Sequence, residues 1–454
     1  MEIGFPSFCA LFALLFLVKG IESSIGVNYG MVADDLPPPA EVARFVARST
    51  VINRVRLFDA NPEILQSFAH TGVAITITIP NDQIPRLVSL NHSKEWIELN
   101  VKPYWPATKI IRIMVGNEVL STANKFLIAS LVPAMQALHT ALEEVSLDDD
   151  IKVSTPHSLS ILTTSNPPST GRFRQGYDAS VLKPLLEFLQ STNSPFMINP
   201  YPFFGCSSDT LDYALFRPNA GVIDENTGLN YTNMLDGQLD AVYSAMKLIG
   251  FADVDIVIAE TGWPSKGDAS QVGVDAESAA QYNQNLMKHV VSGDGTPLMP
   301  GRIFETYIFA LFNEDLKPGP PCERNFGLFY SNMTPSYDIG IVKPTAVSNP
   351  MPRVSEPIKS QPDVSSSEKN WCVPRESADA DGLQRNIDYV CGLGIDCTQI
   401  SVGGDCFLPD TVRSHASFAM NKYYQISGRN DYNCDFRLTG VITNVDPSYG
   451  NCKY

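Results

Sequence analysis

Eight short β-branched runs, separated by segments of helical periodicity, predict an α/β fold over residues 25–342: a closed (β/α)8 TIM barrel. Six cysteines crowded near the end of the chain predict a small, disulfide-rich, partly helical domain over 370–454. Between them, "KPTAVSNPMPRVSEPIKSQPDVSSSEK" (343–369) is rich in Pro and Ser and has no aromatic residue. It holds too little apolar surface to offset the entropy of ordering and reads as a linker. A length of 454 residues also favours two domains.

The first run, "IGVNYG", begins at Ile25. The following "MVADDLPPPAE" lacks the glycine-rich phosphate turn of an open doubly wound sheet, so the closed barrel is preferred. "INRVRLFD", "VAITITI" and "IIRIMVGNE" are the next three strands. "IKVSTPHS", "FMINPYP", "VDIVIAE" and "RIFETYIFALF" complete the eight. Segments such as "ASLVPAMQALHTALEEV" and "SAAQYNQNLMKHVV" carry apolar residues at helical spacing between them.

Residues 1–24 contain an apolar run from Phe8 to Val18, short for a membrane span and suited to a signal peptide cleaved between Gly20 and Ser24. The leader holds Glu2 and no basic residue before its apolar run. No second long apolar stretch and no lipid-anchor tail are expected, since the chain ends in the polar "PSYGNCKY". Export also fits the cysteines: with Cys9 in the leader, Cys372, Cys391, Cys397, Cys406, Cys434 and Cys452 form an even, dense set. No paired C-x-x-C with a matching His pair speaks for zinc, and the six histidines lack ligand spacing, so no metal or cofactor is expected. Asn91, Asn230 and Asn332 open N-x-S/T sequons. The formal charge of −16 argues against nucleic acid as a partner and leaves a neutral polymer open.

Barrel sites lie where strands end. There, Glu118 closes "IRIMVGNE" and Glu260 closes "DIVIAE". A strand-end acid can be a structural partner for a nearby Lys or Arg. Two of them facing one cleft are what hydrolysis of a sugar acetal needs, one to protonate the leaving oxygen and one to act at the anomeric carbon.

"MVGNEV" and "IVIAETGWPSKG" resemble the two signatures of the plant family 17 glycoside hydrolases, the endo-β-1,3-glucanases. "IGVNYG", "NPYPFF", "FNEDLK" and "ERNFGLF" extend the likeness from residue 25 to about 342. The resemblance implies a retaining mechanism on β-1,3-glucan, with Glu118 as acid/base and Glu260 as nucleophile. In a retaining pair the carboxyl groups are about 5 Å apart. Asn117 is then placed for the sugar's 2-hydroxyl. Glu314, Lys317 and Glu323 are expected near the pair, with Lys317 helping keep Glu260 ionised. Tyr29, Tyr201, Phe204 and Trp263 are candidate sugar platforms, although an aromatic at a strand end is as often core.

Cys206 and Cys322 depart from the family pattern and suggest a disulfide across the cleft rim. The C-terminal segment is similar to the family 43 carbohydrate-binding module. That likeness implies Cys372–Cys434, Cys391–Cys397 and Cys406–Cys452, a choice among 15 connectivities that spacing cannot make. The expected protein is a secreted hydrolase of the cell wall or extracellular space, needing no cofactor and acting as a monomer. A glucan transglycosylase, or a non-hydrolytic wall glucan binder, is the alternative.

Overall fold

The structure, a computed structural model, describes residues 25–343 and, within 370–454, all but 376–377, 393–394, 427–428, 430–433, 435 and 437–438. The leader and, Lys343 apart, the linker lie outside the described residues. The described chain forms two compact units, one holding 25–343 and the other 370–454.

In the first unit, β1 (Ile25–Tyr29), β2 (Arg54–Leu57), β3 (Ala74–Ile79) and β4 (Lys109–Val115) coincide with the first four runs. The fifth run is split at Thr155 into β5 (Lys152–Ser154) and β6 (Pro156–Ser158). β7 (Phe196–Asn199), β8 (Ile256–Thr261) and β9 (Thr306–Ile308) follow. The sheet runs β5-β4-β3-β2-β1-β9-β8-β7-β6, and every pairing in it is parallel. Its two end strands are consecutive in the chain. β5 bonds to β4 and β6 bonds to β7, so one strand changes partner at Thr155 and closes the barrel.

Parallel strands covered on both sides need apolar residues on both faces. In β8, Val257 and Ala259 meet Met114, Met197 and Tyr307 in the barrel interior. Ile256 and Ile258 join the larger core shared with the outer helices. Those helices include Pro39–Ser49, Leu90–Asn100, Lys125–Glu144, Lys183–Ser191, Met234–Leu248 and Ala276–Ser292. Asn124 and Asp275 cap two of them, their side chains accepting from Leu127 N and Ser278 N. Against the expectation of no second long apolar stretch, Lys125–Glu144, read from the sequence as a helical segment, is long and apolar enough by length and composition to cross a membrane; about half of it is buried in the barrel shell.

At the end of the barrel where strands begin, Glu305 accepts from Arg112 Nη1 at 2.8 Å and Tyr307 Oη at 2.8 Å. Arg54 lies 3.7 Å away. These cations pull the Glu305 carboxyl down to about 2 against the opposing effect of burial.

The second unit pairs β10 (Trp371–Pro374) antiparallel with β11 (Gly440–Thr443) beside helices Ala380–Gly392 and Val412–Ile426. Disulfides join Cys372 to Cys434, Cys391 to Cys397 and Cys406 to Cys452. Its two small clusters of buried residues both touch Ile387 and Phe436. Such small cores benefit from covalent staples.

Candidate active site

Beyond β4 the chain makes a tight elbow. Gly116 has φ +77°, and a Cβ there would lie 2.6 Å from Asn81 Oδ1. Both backbone and space therefore demand glycine. Two residues later Glu118 itself adopts the left-handed conformation, at φ +51°. A non-glycine residue pays about 1–2 kcal/mol for that conformation, so surrounding contacts must impose it. Glu118 N donates to Pro156 O at 3.0 Å, and Asn199 Nδ2 donates to Glu118 Oε1 at 2.8 Å.

Glu260 is positioned differently. Between Ile258/Thr306 and Thr261/Ile308, β8 holds one more residue than β9, which marks a bulge at Ala259–Glu260. The bulge takes the Ala259 carbonyl out of the regular ladder. It accepts instead from Asn28 Nδ2 at 3.0 Å and Arg56 Nη1 at 3.1 Å. Arg56, fully buried on β2, also reaches Glu260 Oε1 at 2.6 Å through Nη1 and Asn117 Oδ1 at 2.6 Å through Nη2. Tyr201 Oη donates to the other oxygen, Oε2, at 3.0 Å. Glu260 is 7 % exposed and has both oxygens engaged.

The two acids thus have unequal surroundings. Burial, and then the charge of Glu260, push the Glu118 carboxyl above the usual glutamate range, against smaller opposing effects of Asn199, Arg56 and Lys317. Glu260 has a cation in contact, whereas Glu118 has an amide. One carboxyl disposed to hold a proton beside another held in an ion pair is an arrangement for acid/base and nucleophilic work on one bond.

Residues 25–341 match the glycosyl hydrolases family 17. The chain belongs to this family. It is a glycoside hydrolase, and its residues 370–441 match the X8 domain, a carbohydrate-binding module. A glucan endo-1,3-beta-glucosidase of Triticum aestivum is 46 % identical over 95 % of this chain and 94 % of its own. Glucan endo-1,3-beta-glucosidase 7 of Arabidopsis thaliana is 48 % identical over 98 % of this chain and 87 % of its own. Among solved structures, CJP38, a beta-1,3-glucanase and allergen of Cryptomeria japonica pollen, is 42 % identical. It covers 70 % of this chain and 99 % of its own with a TM-score of 0.67.

Within this family 17 barrel, several expected site residues lie elsewhere than supposed. Trp263 is wholly buried, donates from Nε1 to Gly273 O at 2.7 Å and packs on Phe203 and Tyr282. It pins the loop after β8 and offers no face to a sugar. Tyr29 is 1 % exposed and packs edge-on against Phe312, so it too is core. Phe204, at 62 % exposed, is an open ring braced by Tyr201 and Phe203. Tyr201 serves Glu260 through its hydroxyl, and burial together with Glu260 raises that phenol's pKa.

Lys317 pairs with Glu323 at 3.3 Å and lies over the Phe309 ring; the cation in contact with Glu260 is Arg56. Glu314 is buried, accepts from Val32 N at 3.0 Å, and is raised chiefly by burial. A Cβ on Gly30 would fall 2.1 Å from its Oε1, so glycine at that position lets the carboxylate pack against the backbone.

The rim disulfide is absent: Cys206 and Cys322 are free thiols. Cys206 Sγ donates to Phe203 O, while buried Cys322 Sγ accepts from Gln271 Nε2. Cys206 is satisfied within its own loop, and Cys322 by the loop that follows β8. Asn91 and Asn230 are exposed, and Asn332 is half-buried, with its Oδ1 accepting from Thr334 N at 3.0 Å.

Arg56, Asn199 and Asn81 escaped the sequence reading. Arg54, Arg56 and Arg112 were visible as arginines inside apolar strands, where a charge is tolerated only with a buried partner. That signal was available and points to both acidic networks.

Proposed function

We propose that this protein is a retaining endo-β-1,3-glucanase that hydrolyses callose-type β-1,3-glucan by double displacement. The observation carrying the proposal is the asymmetry of the two acids: Glu118 raised by burial and by Glu260, and Glu260 paired with Arg56. Glu118 gives its proton to the glycosidic oxygen as Glu260 attacks the anomeric carbon, releasing the leaving sugar and forming a glycosyl ester. Esterification removes the Glu260 charge, so Glu118 is then suited to take a proton from water. That water attacks the anomeric carbon, and Glu260 departs as carboxylate.

Arg56 engages Asn117 Oδ1, which leaves the amide NH2 as that side chain's donor end for the sugar's 2-hydroxyl. The named relatives support the β-1,3 linkage. Of the four expected platforms, Phe204 is the ring whose exposure best suits it to stack on a glucosyl unit.

The C-terminal unit binds the same glucan and raises the barrel's local concentration on insoluble polymer through the 343–369 linker. The 1–24 leader directs export to the extracellular space or cell wall, where the disulfides persist and the sequons receive glycans. Reducing-end release from linear β-1,3-glucan, beside a mixed β-1,3-1,4-glucan, tests the activity. Early-time NMR of the released sugar should show the β anomer first. An α anomer at the outset overturns the retaining mechanism, and longer products in place of hydrolysis indicate transglycosylation.

A further inference from the structure

The elbow that carries Glu118 is held by a side chain outside the proposed reacting pair. Asn81 lies just past β3, and its amide meets the backbone of Asn117 on both sides. Asn81 Oδ1 accepts from Asn117 N at 2.8 Å, and Asn81 Nδ2 donates to Asn117 O at 3.0 Å. Gly116 N donates to Ile79 O at 2.9 Å, continuing the β3–β4 ladder up to the same point. Beyond it, Glu118 N turns to Pro156 O on β6. The peptide units flanking Asn117 are therefore fixed from one side by Asn81, immediately before a residue whose left-handed backbone has no intrinsic preference for that state.

The absence of a Cβ at Gly116 is what admits the clamp, since one would sit 2.6 Å from Asn81 Oδ1. The Asn117 side chain is engaged separately, by Arg56. Asn81 thus acts on the main chain alone and sets the direction in which residue 118 leaves it.

We infer that Asn81 is a positioning residue for general acid/base catalysis: its double hydrogen bond to the Asn117 backbone aims Glu118 at the glycosidic oxygen. This rests on the assignment of Glu118 as acid/base. Its consequence is selective. A misaimed acid matters when the leaving group needs a proton, and little when the leaving group is stable as an anion. Attack by Glu260 depends on Arg56 and Tyr201, neither of which bonds to Asn81.

The test compares kcat/KM on β-1,3-glucan with kcat/KM on a 2,4-dinitrophenyl β-laminarioligoside, for the full chain, Asn81→Ala and Glu118→Ala. Because kcat/KM ends at the first irreversible step, it reports glycosyl-ester formation on both substrates. Asn81→Ala should lower the glucan value about 100-fold, the scale of a misplaced catalytic group, and leave the dinitrophenyl value within about threefold. It should also displace the alkaline limb of the glucan pH profile, which follows Glu118.

Equal losses on the two substrates, with an unmoved pH limb, would mean that Asn81 serves stability alone and would overturn the inference. Should Asn81→Ala fail to fold, Asn81→Asp keeps the acceptor for Asn117 N and loses the donor to Asn117 O; the same split between substrates is then required of it. Glu118→Ala separates the two levels. If it spares the dinitrophenyl substrate and Asn81→Ala does not, only the role of Asn81 falls. If Glu118→Ala loses both equally, the acid/base assignment falls and the inference with it.

Discussion

Replacing Arg56 with Met removes the cation that Glu260 contacts while keeping an unbranched apolar stem in a site that is fully buried. What remains around the Glu260 carboxylate is one protein donor, Tyr201 Oη at 3.0 Å. Removing one member of a buried ion pair costs about 3–5 kcal/mol, because the other charge is left without compensation. Arg56→Met should therefore destabilise the barrel by about that amount in urea unfolding. Glu260→Gln in the same background should restore part of the loss. The charge is then gone, and the residual cost is the hydrogen bonds from Arg56 to Ala259 O and Asn117 Oδ1. Each is worth about 1 kcal/mol, and Ala259 O retains Asn28 as a donor.

The double variant is thus expected to be more stable than Arg56→Met alone by roughly 1–3 kcal/mol, even though it carries more changes. Arg56→Lys should not rescue, because one ammonium cannot reproduce the two-nitrogen bridge to Glu260 and Asn117. If Arg56→Met costs under about 1 kcal/mol, or the double variant is the less stable, Arg56 does not neutralise Glu260 and the electrostatic account of the site is wrong.

Other perturbations have equally definite outcomes. Asn199→Leu removes a hydrogen bond that favours ionised Glu118, so the alkaline limb of kcat/KM on glucan should move to higher pH; movement to lower pH contradicts the assignment. Glu118→Gly should be inactive on glucan yet more stable than Glu118→Ala by about 1 kcal/mol in urea unfolding, the reverse of the usual order, because only glycine is at ease at positive φ. Glu305 is held near 2, below its ordinary 4.5, so its contribution is full above about pH 4.5 and disappears as pH falls towards 2. The stability gap between wild type and Glu305→Gln, roughly 3 kcal/mol from that shift, should close across this window; a gap independent of pH refutes the pairing. Thiol titration of the unfolded, unreduced mature chain should find two thiols, Cys206 and Cys322, and finding none would restore the rim disulfide.

The barrel was legible because its strands are apolar on both faces and its helices are not, a difference in period that survives without tertiary information. Glu118 and Glu260 were legible because both follow such runs. The split of the fifth strand at Thr155 was not, since a change of pairing partner leaves the residues of "IKVSTPHS" unaltered. Nor was the burial of Trp263 and Tyr29: an aromatic beyond a strand looks the same whether its ring turns to the cleft or into the core. The Cys206–Cys322 expectation failed for a related reason. Two loops on one rim can hold cysteines without aligning them, and each thiol here has its own partner.

Glu118, Glu260 and Glu305 all stand next to apolar strand residues, and sequence position alone does not separate structural acids from chemical ones. Their partners do. Glu305 precedes β9 at the strand-beginning end, where Arg112, Arg54 and Tyr307 hold it in a polar network and depress its pKa. Glu260 lies at the opposite end, in contact with one arginine and one tyrosine. Glu118 has an amide donor, no cation in contact among the described residues, a strained backbone and a raised pKa. Compensation therefore decreases from the acid that stabilises the barrel to the acid proposed to exchange protons. A fully compensated carboxylate has little tendency to take or give up a proton near neutral pH, so a structural acid can be saturated with partners and an acid/base cannot. The strain and burial at Glu118 are costs that the fold bears at the position proposed to carry the labile proton.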